Sequence, residues 1–229
     1  MSNSLFFAFG VYPYIALAVC IIGTWARYDR EQYTWKASSS QLLEKKQLRR
    51  GSLPFHVGIL GILFGHFVGL LTPASVWHVF GITPAMKQVV AIVAGGLFGL
   101  LCLYGLVILV HRRLMHERVR ASSSRMDIAV LLLLLAQLLL GLSSIFVSLG
   151  HLDGQEMLKL MAWAQNIVTF HGVAAAEAIQ GVHWIFKAHV FLGMTLFIVF
   201  PFSRLVHILS VPLKYLNRNY QVVRRRGNA

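Results

Sequence analysis

Five stretches of this chain, about 5–26, 53–72, 88–110, 127–149 and 185–209, are apolar for long enough to cross a bilayer, which takes roughly 20 residues. In lipid the backbone must satisfy its own hydrogen bonds, so each stretch is expected to be a helix. The expected fold is therefore an all-α integral membrane protein, a single domain over 1–229 with five transmembrane helices. Composition agrees, since 57% of the residues are hydrophobic. The first run has no basic head and no small-residue cleavage site, so it reads as a span and not as a cleaved leader.

Charge gives the orientation. A formal net charge of +13 raises the question of nucleic acid, but the distribution points to topology. Arg27, Arg30, Lys36, Lys45, Lys46, Arg49 and Arg50 follow the first run. Arg112, Arg113, Arg118, Arg120 and Arg125 follow the third, and Arg204, Lys214, Arg218, Arg224, Arg225 and Arg226 follow or close the fifth. Eighteen of the 21 basic residues thus fall on one side of a five-span layout, leaving only Lys87, Lys159 and Lys187 on the other. Basic loops stay in the cytoplasm. The N-terminus is expected outside and the C-terminus in the cytoplasm, with a lipid bilayer and no nucleic acid as partner. Cys20 and Cys102 lie in spans without any Cys-x-x-Cys spacing, so neither a disulfide framework nor an iron–sulfur site is expected. Between the fourth and fifth runs, residues 155–170 place Met157, Leu160, Met161, Ala164, Ile167 and Val168 at helical spacing. This reads as an amphipathic helix on the outer surface, a candidate lid.

Four of the ten histidines lie within the apolar runs: His56 and His66 on the second, His189 and His207 on the fifth. Titratable side chains in a bilayer face protein or bind something. Depth pairs His66 with His189 near the outer face and His56 with His207 near the inner one. Eighteen residues at about 100° each are five whole turns, so His189 and His207 are expected to share a face, and ten residues leave His56 and His66 roughly 80° apart on adjoining faces. One tension follows. The separation of His189 from His207 spans about 27 Å, against about 15 Å from His56 to His66. Zinc takes three or four clustered protein ligands. Two separated imidazole pairs fit two haems better, because a haem brings its own equatorial nitrogens and takes one or two axial ligands. No Cys-x-x-Cys-His occurs, so the expected group is haem b, non-covalently held between the second and fifth helices. With both axial positions filled, such centres carry electrons. Gly58, Gly61, Gly65 and Gly69 recur along the second run, and Gly193 follows His189 by one turn. They serve either a flat macrocycle or close helix packing. Arg112 or Arg113 is a candidate for the inner haem's propionates, or simply holds its loop inside. Lys87 opens the third run as an interfacial anchor or as a donor near the outer haem.

Three blocks carry a resemblance. VYPYIALAVCIIGTWARYDREQYTWKASSSQ at 11–41, FHVGILGILFGHFVGLLTP at 55–73 and HVFLGMTLFIVFPFSRLVHILSVPLKYL at 189–216 together closely resemble the gamma subunit of respiratory nitrate reductase, a membrane cytochrome b. The resemblance extends over nearly the whole chain. It implies a diheme quinol oxidase of the bacterial inner membrane, crossing it several times. His66 and His189 would hold the outer haem, and His56 and His207 the inner one. The quinol site would lie by the outer haem, with Lys87 and His66 in it and Gly65 and Gly69 beside it. Electrons would pass to an iron–sulfur subunit on the cytoplasmic face and on to a molybdenum subunit that reduces nitrate. This chain has no motif for either of those groups. Two rivals are a related diheme subunit of a sulfite- or heterodisulfide-reducing complex, and a transporter or membrane zinc hydrolase. RYDREQYTW and the C-terminal tail disfavour the first. The second needs acidic groups in the spans, where only Asp127 is found, at the edge of the fourth.

Overall fold

Five helices of the computed structural model are long and apolar enough to cross a membrane. The structure describes residues 2–35, 40 and 43–210. Lys36 and the basic residues from Lys214 onward, used in the charge argument, lie outside the described residues, as does 211–216 of the third resemblance block. The spanning helices are α1 (Asn3–Arg30, with one π-turn at Phe7–Val11), α2 (Lys45–Leu71), α4 (Pro84–Met115), α6 (Arg125–Leu149) and α9 (Trp184–Val199, running on through a 3-10 turn to Phe202). Short helices α3 (Ala74–Val79), α5 (Glu117–Ala121) and α8 (Gly172–Ala178) and the longer α7 (Gln155–Val168) connect them. No strand occurs among the described residues.

Local chemistry explains the helix starts. Thr83 caps α4 by accepting from the Met86 amide, and Pro84 follows at the first helical position, where its missing N–H costs nothing. Ser124 and Asp127 form a reciprocal capping box at the start of α6. α2 and α4 pack at the closest approach. A Cβ on Gly58 would lie 2.5 Å from the Cys102 amide nitrogen, and one on Gly105 would lie 2.5 Å from the Gly51 carbonyl oxygen. Van der Waals contact between spanning helices, with no hydrophobic drive in lipid, favours such small residues. α4 packs in turn on α6, α6 on α9, and α9 on α1. Tyr12 of α1 stacks on Phe191 of α9, with ring centres 4.7 Å apart, and shares a 2.9 Å hydrogen bond with Thr195.

α7 lies across one end of this bundle. Met161, Trp163, Ala164 and Ile167 are buried, in a core with Phe9, Ile179, Ile185 and Phe186. The Trp163 indole donates to the Phe9 carbonyl at 3.0 Å, inside the π-turn, where i→i−4 bonding is interrupted. Gln165 donates to the Leu70 carbonyl at 3.0 Å and so covers an open carbonyl at the end of α2.

Span five departs from the expected continuous helix. α9 ends at Val199, Phe200–Phe202 form a 3-10 turn, Ser203 is extended at φ −121° and ψ 179°, and a second 3-10 stretch runs Arg204–Ser210. The reason is Pro201, which has no N–H to give and crowds the preceding turn. His207 is therefore not on the same α-helix as His189. The five-turn argument for their shared face fails, and so does the 27 Å separation derived from it. Arg27 seals the break by donating from Nη1 to the Pro201 and Ser203 carbonyls, each at 2.7 Å. Asp127 pairs with the Arg204 guanidinium, joining the start of α6 to this last stretch.

Two substitutions test these joints. Gly58→Val forces a branched side chain into the α4 backbone, and overpacking of this kind costs about 1–3 kcal/mol. Thermal unfolding of the detergent-solubilised protein should begin several degrees earlier, and an unchanged midpoint would contradict the close crossing. Asp127→Ala removes both the capping-box carboxylate and the acid facing Arg204, a loss of about 2 kcal/mol. The same assay reads it, with Gln155→Ala on the surface as control.

Candidate functional site

Two pairs of imidazoles face each other across the bundle. The His66 and His189 ring centres are 6.0 Å apart, and those of His56 and His207 are 6.3 Å apart. Two imidazoles on opposite sides of one metal, each bonded at roughly 2 Å, place their ring centres about 6 Å apart. The fold brings together the partners that depth suggested. Yet α2 and the fifth span do not pack closely on each other among the described residues. α2 lies on α4 and α7, and α9 lies on α6 and α1. A slot separates them, with His56 and His66 exposed to it along α2.

Each of the four rings is held by its other nitrogen. Nδ1 of His56 is 2.7 Å from the Ser52 carbonyl oxygen, that of His66 is 2.8 Å from Ile62 O, that of His189 is 3.2 Å from Gln137 O, and that of His207 is 2.5 Å from Arg204 O. A carbonyl only accepts, so Nδ1 carries the proton and Nε2 keeps a lone pair. This is the anchoring that metal-bound histidines make, fixing tautomer and ring plane. His171 and His183 are placed differently. His171 Nδ1 meets the Thr169 hydroxyl, and His183 Nδ1 accepts from the Ile185 amide. His111 and His116 lie 6.4 Å apart, but both sit at one helix end, and among the described residues no carbonyl holds either ring. Among the described residues no three His, Cys, Asp or Glu side chains converge as a clustered metal site would need.

The glycines of α2 divide into two groups. A Cβ on Gly58 would strike Cys102, and one on Gly61 would strike the Phe98 ring, so both serve packing. A Cβ on Gly65 or Gly69 would meet nothing within 4 Å. The face of α2 next to His66 is thus bare, with room for a flat group. Across the slot, a Cβ on Gly141 would press on the His189 ring at 3.0 Å, and one on Gly193 would approach the Gln137 side chain at 3.3 Å.

Lys87 is buried at the end of α4. Its ammonium donates to the Gly69 carbonyl at 2.6 Å and to Met161 Sδ at 2.9 Å, and lies over the Trp77 ring, 4.8 Å from its centre. It thus sits one turn beyond His66 along α2, under α7. Arg112 is 2% exposed and donates to the Ser40 carbonyl and hydroxyl, each at 2.9 Å, and to the Glu44 carbonyl. Its side chain secures the segment before α2.

Three residues escaped sequence reasoning. Gln137 lies mid-span on α6, with its backbone carbonyl on His189 Nδ1 and its amide donating to the His189 carbonyl at 3.1 Å. A lone amide in a leucine-rich span was the available signal. Asp127 stood out only as an acid, with no sign that Arg204, whose carbonyl holds His207, was its partner. Trp77 carried no signal, because its neighbours Lys87 and Met161 are remote in sequence.

Residues 5–226 match the family model described as nitrate reductase gamma subunit. The chain is 53% identical over 220 residues to respiratory nitrate reductase 1 gamma chain of Escherichia coli K12, covering 96% of this chain and 97% of that one. It is 50% identical to the respiratory nitrate reductase 2 gamma chain of the same organism, over 96% of each. It is 42% identical to the nitrate reductase gamma chain of Bacillus subtilis 168, over 95% of this chain and 97% of that one. These relatives do not favour the sulfite- or heterodisulfide-linked alternative. With near full-length coverage on both sides, and five apolar helices in place, this chain belongs to the nitrate reductase gamma subunit family.

Proposed function

We propose that this chain is the diheme cytochrome b subunit of a respiratory nitrate reductase, oxidising membrane quinol near the outer face and delivering electrons toward the cytoplasm. The observation that carries the reading is the pair of facing imidazole couples, each ring with Nδ1–H on a backbone carbonyl and Nε2 as its acceptor nitrogen, which at His189 also meets the Gln137 amide at 3.3 Å. His66 and His189 hold the outer haem, and His56 and His207 the inner one. Held by these imidazole pairs, the haems would supply one-electron transfer. Gly65 and Gly69 leave the porphyrin's side of α2 clear. Beside it Lys87, placed by Gly69 and Met161, offers an ammonium to a quinol oxygen and helps draw electron density as the protons leave. α7 covers that place from the aqueous side. At the opposite end, Arg112 either reaches an inner propionate or keeps its hold on Ser40 and Glu44.

The orientation follows from charge. The His56–His207 end carries the described Arg27, Arg30, Lys45, Lys46, Arg49, Arg50, Arg113, Arg118 and Arg120, as cytoplasmic ends do. The N-terminus then lies outside and the C-terminus inside. An iron–sulfur subunit docks on the cytoplasmic face and a molybdenum subunit reduces nitrate there, in the inner membrane of a bacterium. Nitrate is reduced on another chain.

A redox-difference spectrum with a haem count per chain tests the core of this. Two b haems are expected in the wild type. His66→Ala should lose the outer haem and quinol:nitrate activity together, and His207→Ala should lose the inner one. A haem-free, colourless chain from cells with ample haem would end the proposal. Lys87→Ala should keep both haems and raise the quinol KM about tenfold or more. Unchanged quinol kinetics would reduce Lys87 to a structural anchor.

A further inference from the structure

The Trp77 indole nitrogen is shut away from solvent and has no hydrogen-bond acceptor among the described residues. Buried donors without a partner are rare and costly, because their solvation is lost with nothing in exchange. Trp77 is on α3, whose six residues connect α2 to α4. It is one wall of a small cavity between α3, the start of α4 and α7, which also reaches Thr83, Lys87, Leu158 and Met161. The cavity holds about 10 Å³, room for one oxygen-sized atom. The Lys87 ammonium, over the face of the same indole, already has Gly69 and Met161 as acceptors.

We infer that Trp77 Nε1–H is a second hydrogen-bond donor to the quinol head group, gripping the oxygen that Lys87 faces. This rests on the quinol reading above and adds a residue to it. An indole donates and cannot accept, so it favours the bound quinone or quinol oxygen without taking a proton from it. The ring gives the ammonium an apolar, electron-rich face and keeps Lys87 beside that oxygen. Met161 brings α7 into the same contact, so the helix across the bundle end and the donor pair close on one atom. An indole placed only as an interfacial aromatic would leave its N–H at the headgroups, where water and lipid oxygens reach it. Here the N–H is sealed from solvent beside the Lys87 ammonium, unlike an indole at the headgroups.

The test uses the whole nitrate reductase complex in membranes, with menadiol as the electron donor and menadione as the bound probe. Trp77→Phe keeps an aromatic face under Lys87 and removes only the donor. The expected result is a menadiol KM about tenfold higher with kcat nearly unchanged and both haem spectra intact. In the wild type, ultraviolet resonance Raman should show an indole N–H band moving to lower frequency when menadione is added. That difference should be absent in Trp77→Phe, and in Trp77→Tyr should the phenylalanine variant fail to assemble. No menadione-induced indole shift in the wild type, or an unaltered KM in an assembled Trp77→Phe complex, overturns the inference. Lys87→Ala separates the levels. If it weakens menadiol use while Trp77→Phe does not, only the Trp77 inference falls. If neither variant alters menadiol kinetics, the quinol reading of this place falls with it.

Discussion

An imidazole inside a membrane protein can present one nitrogen to a ligand only if its other nitrogen is already satisfied. Four backbone carbonyls do this here, and they come from three different situations. His56 and His66 each use the carbonyl four residues back on α2, a bond open to any helical histidine. His189 uses the Gln137 carbonyl on a neighbouring helix, and His207 uses Arg204 within a 3-10 stretch. The local pair needs only helix geometry. The other two depend on how α6 meets the fifth span at both of its ends, so that packing sets where these two rings stand.

The break at Pro201 is what makes the second pair possible. A straight helix would have carried residue 207 well past the level of His56. Stopping the helix at Val199 frees carbonyls, and freed carbonyls at membrane depth need donors. Arg27 from α1 supplies them at Pro201 and Ser203, and Asp127 from α6 holds Arg204. Part of the basic cluster therefore also secures the irregular backbone. One arginine can do this because a guanidinium carries several donors at once.

The other end is built from covering elements. α7 lends Met161 to Lys87, Gln165 to the end of α2 and Trp163 to the π-turn of α1. These contacts place a cation beside the bare glycine face next to His66. The glycines themselves show how one spacing serves two purposes on one helix: Gly58 and Gly61 allow α4 to approach, while Gly65 and Gly69 keep a surface clear.

Five apolar runs, their helical state, the amphipathic 155–170 segment and the four candidate histidines were legible in the sequence, because bilayer thickness and backbone hydrogen bonding act on every such chain alike. The order of the histidines along two spans of opposite direction also suggested the pairs, although the rise assumed between His189 and His207 did not hold. The division of the glycines, the use of Arg112 on Ser40 and Glu44, the break after Val199 and the roles of Gln137, Asp127 and Trp77 were decided only by tertiary structure. Each depends on which residue of another helix arrives opposite. That is set by crossing geometry between segments up to 183 residues apart, as for Tyr12 and Thr195, and no local pattern encodes it.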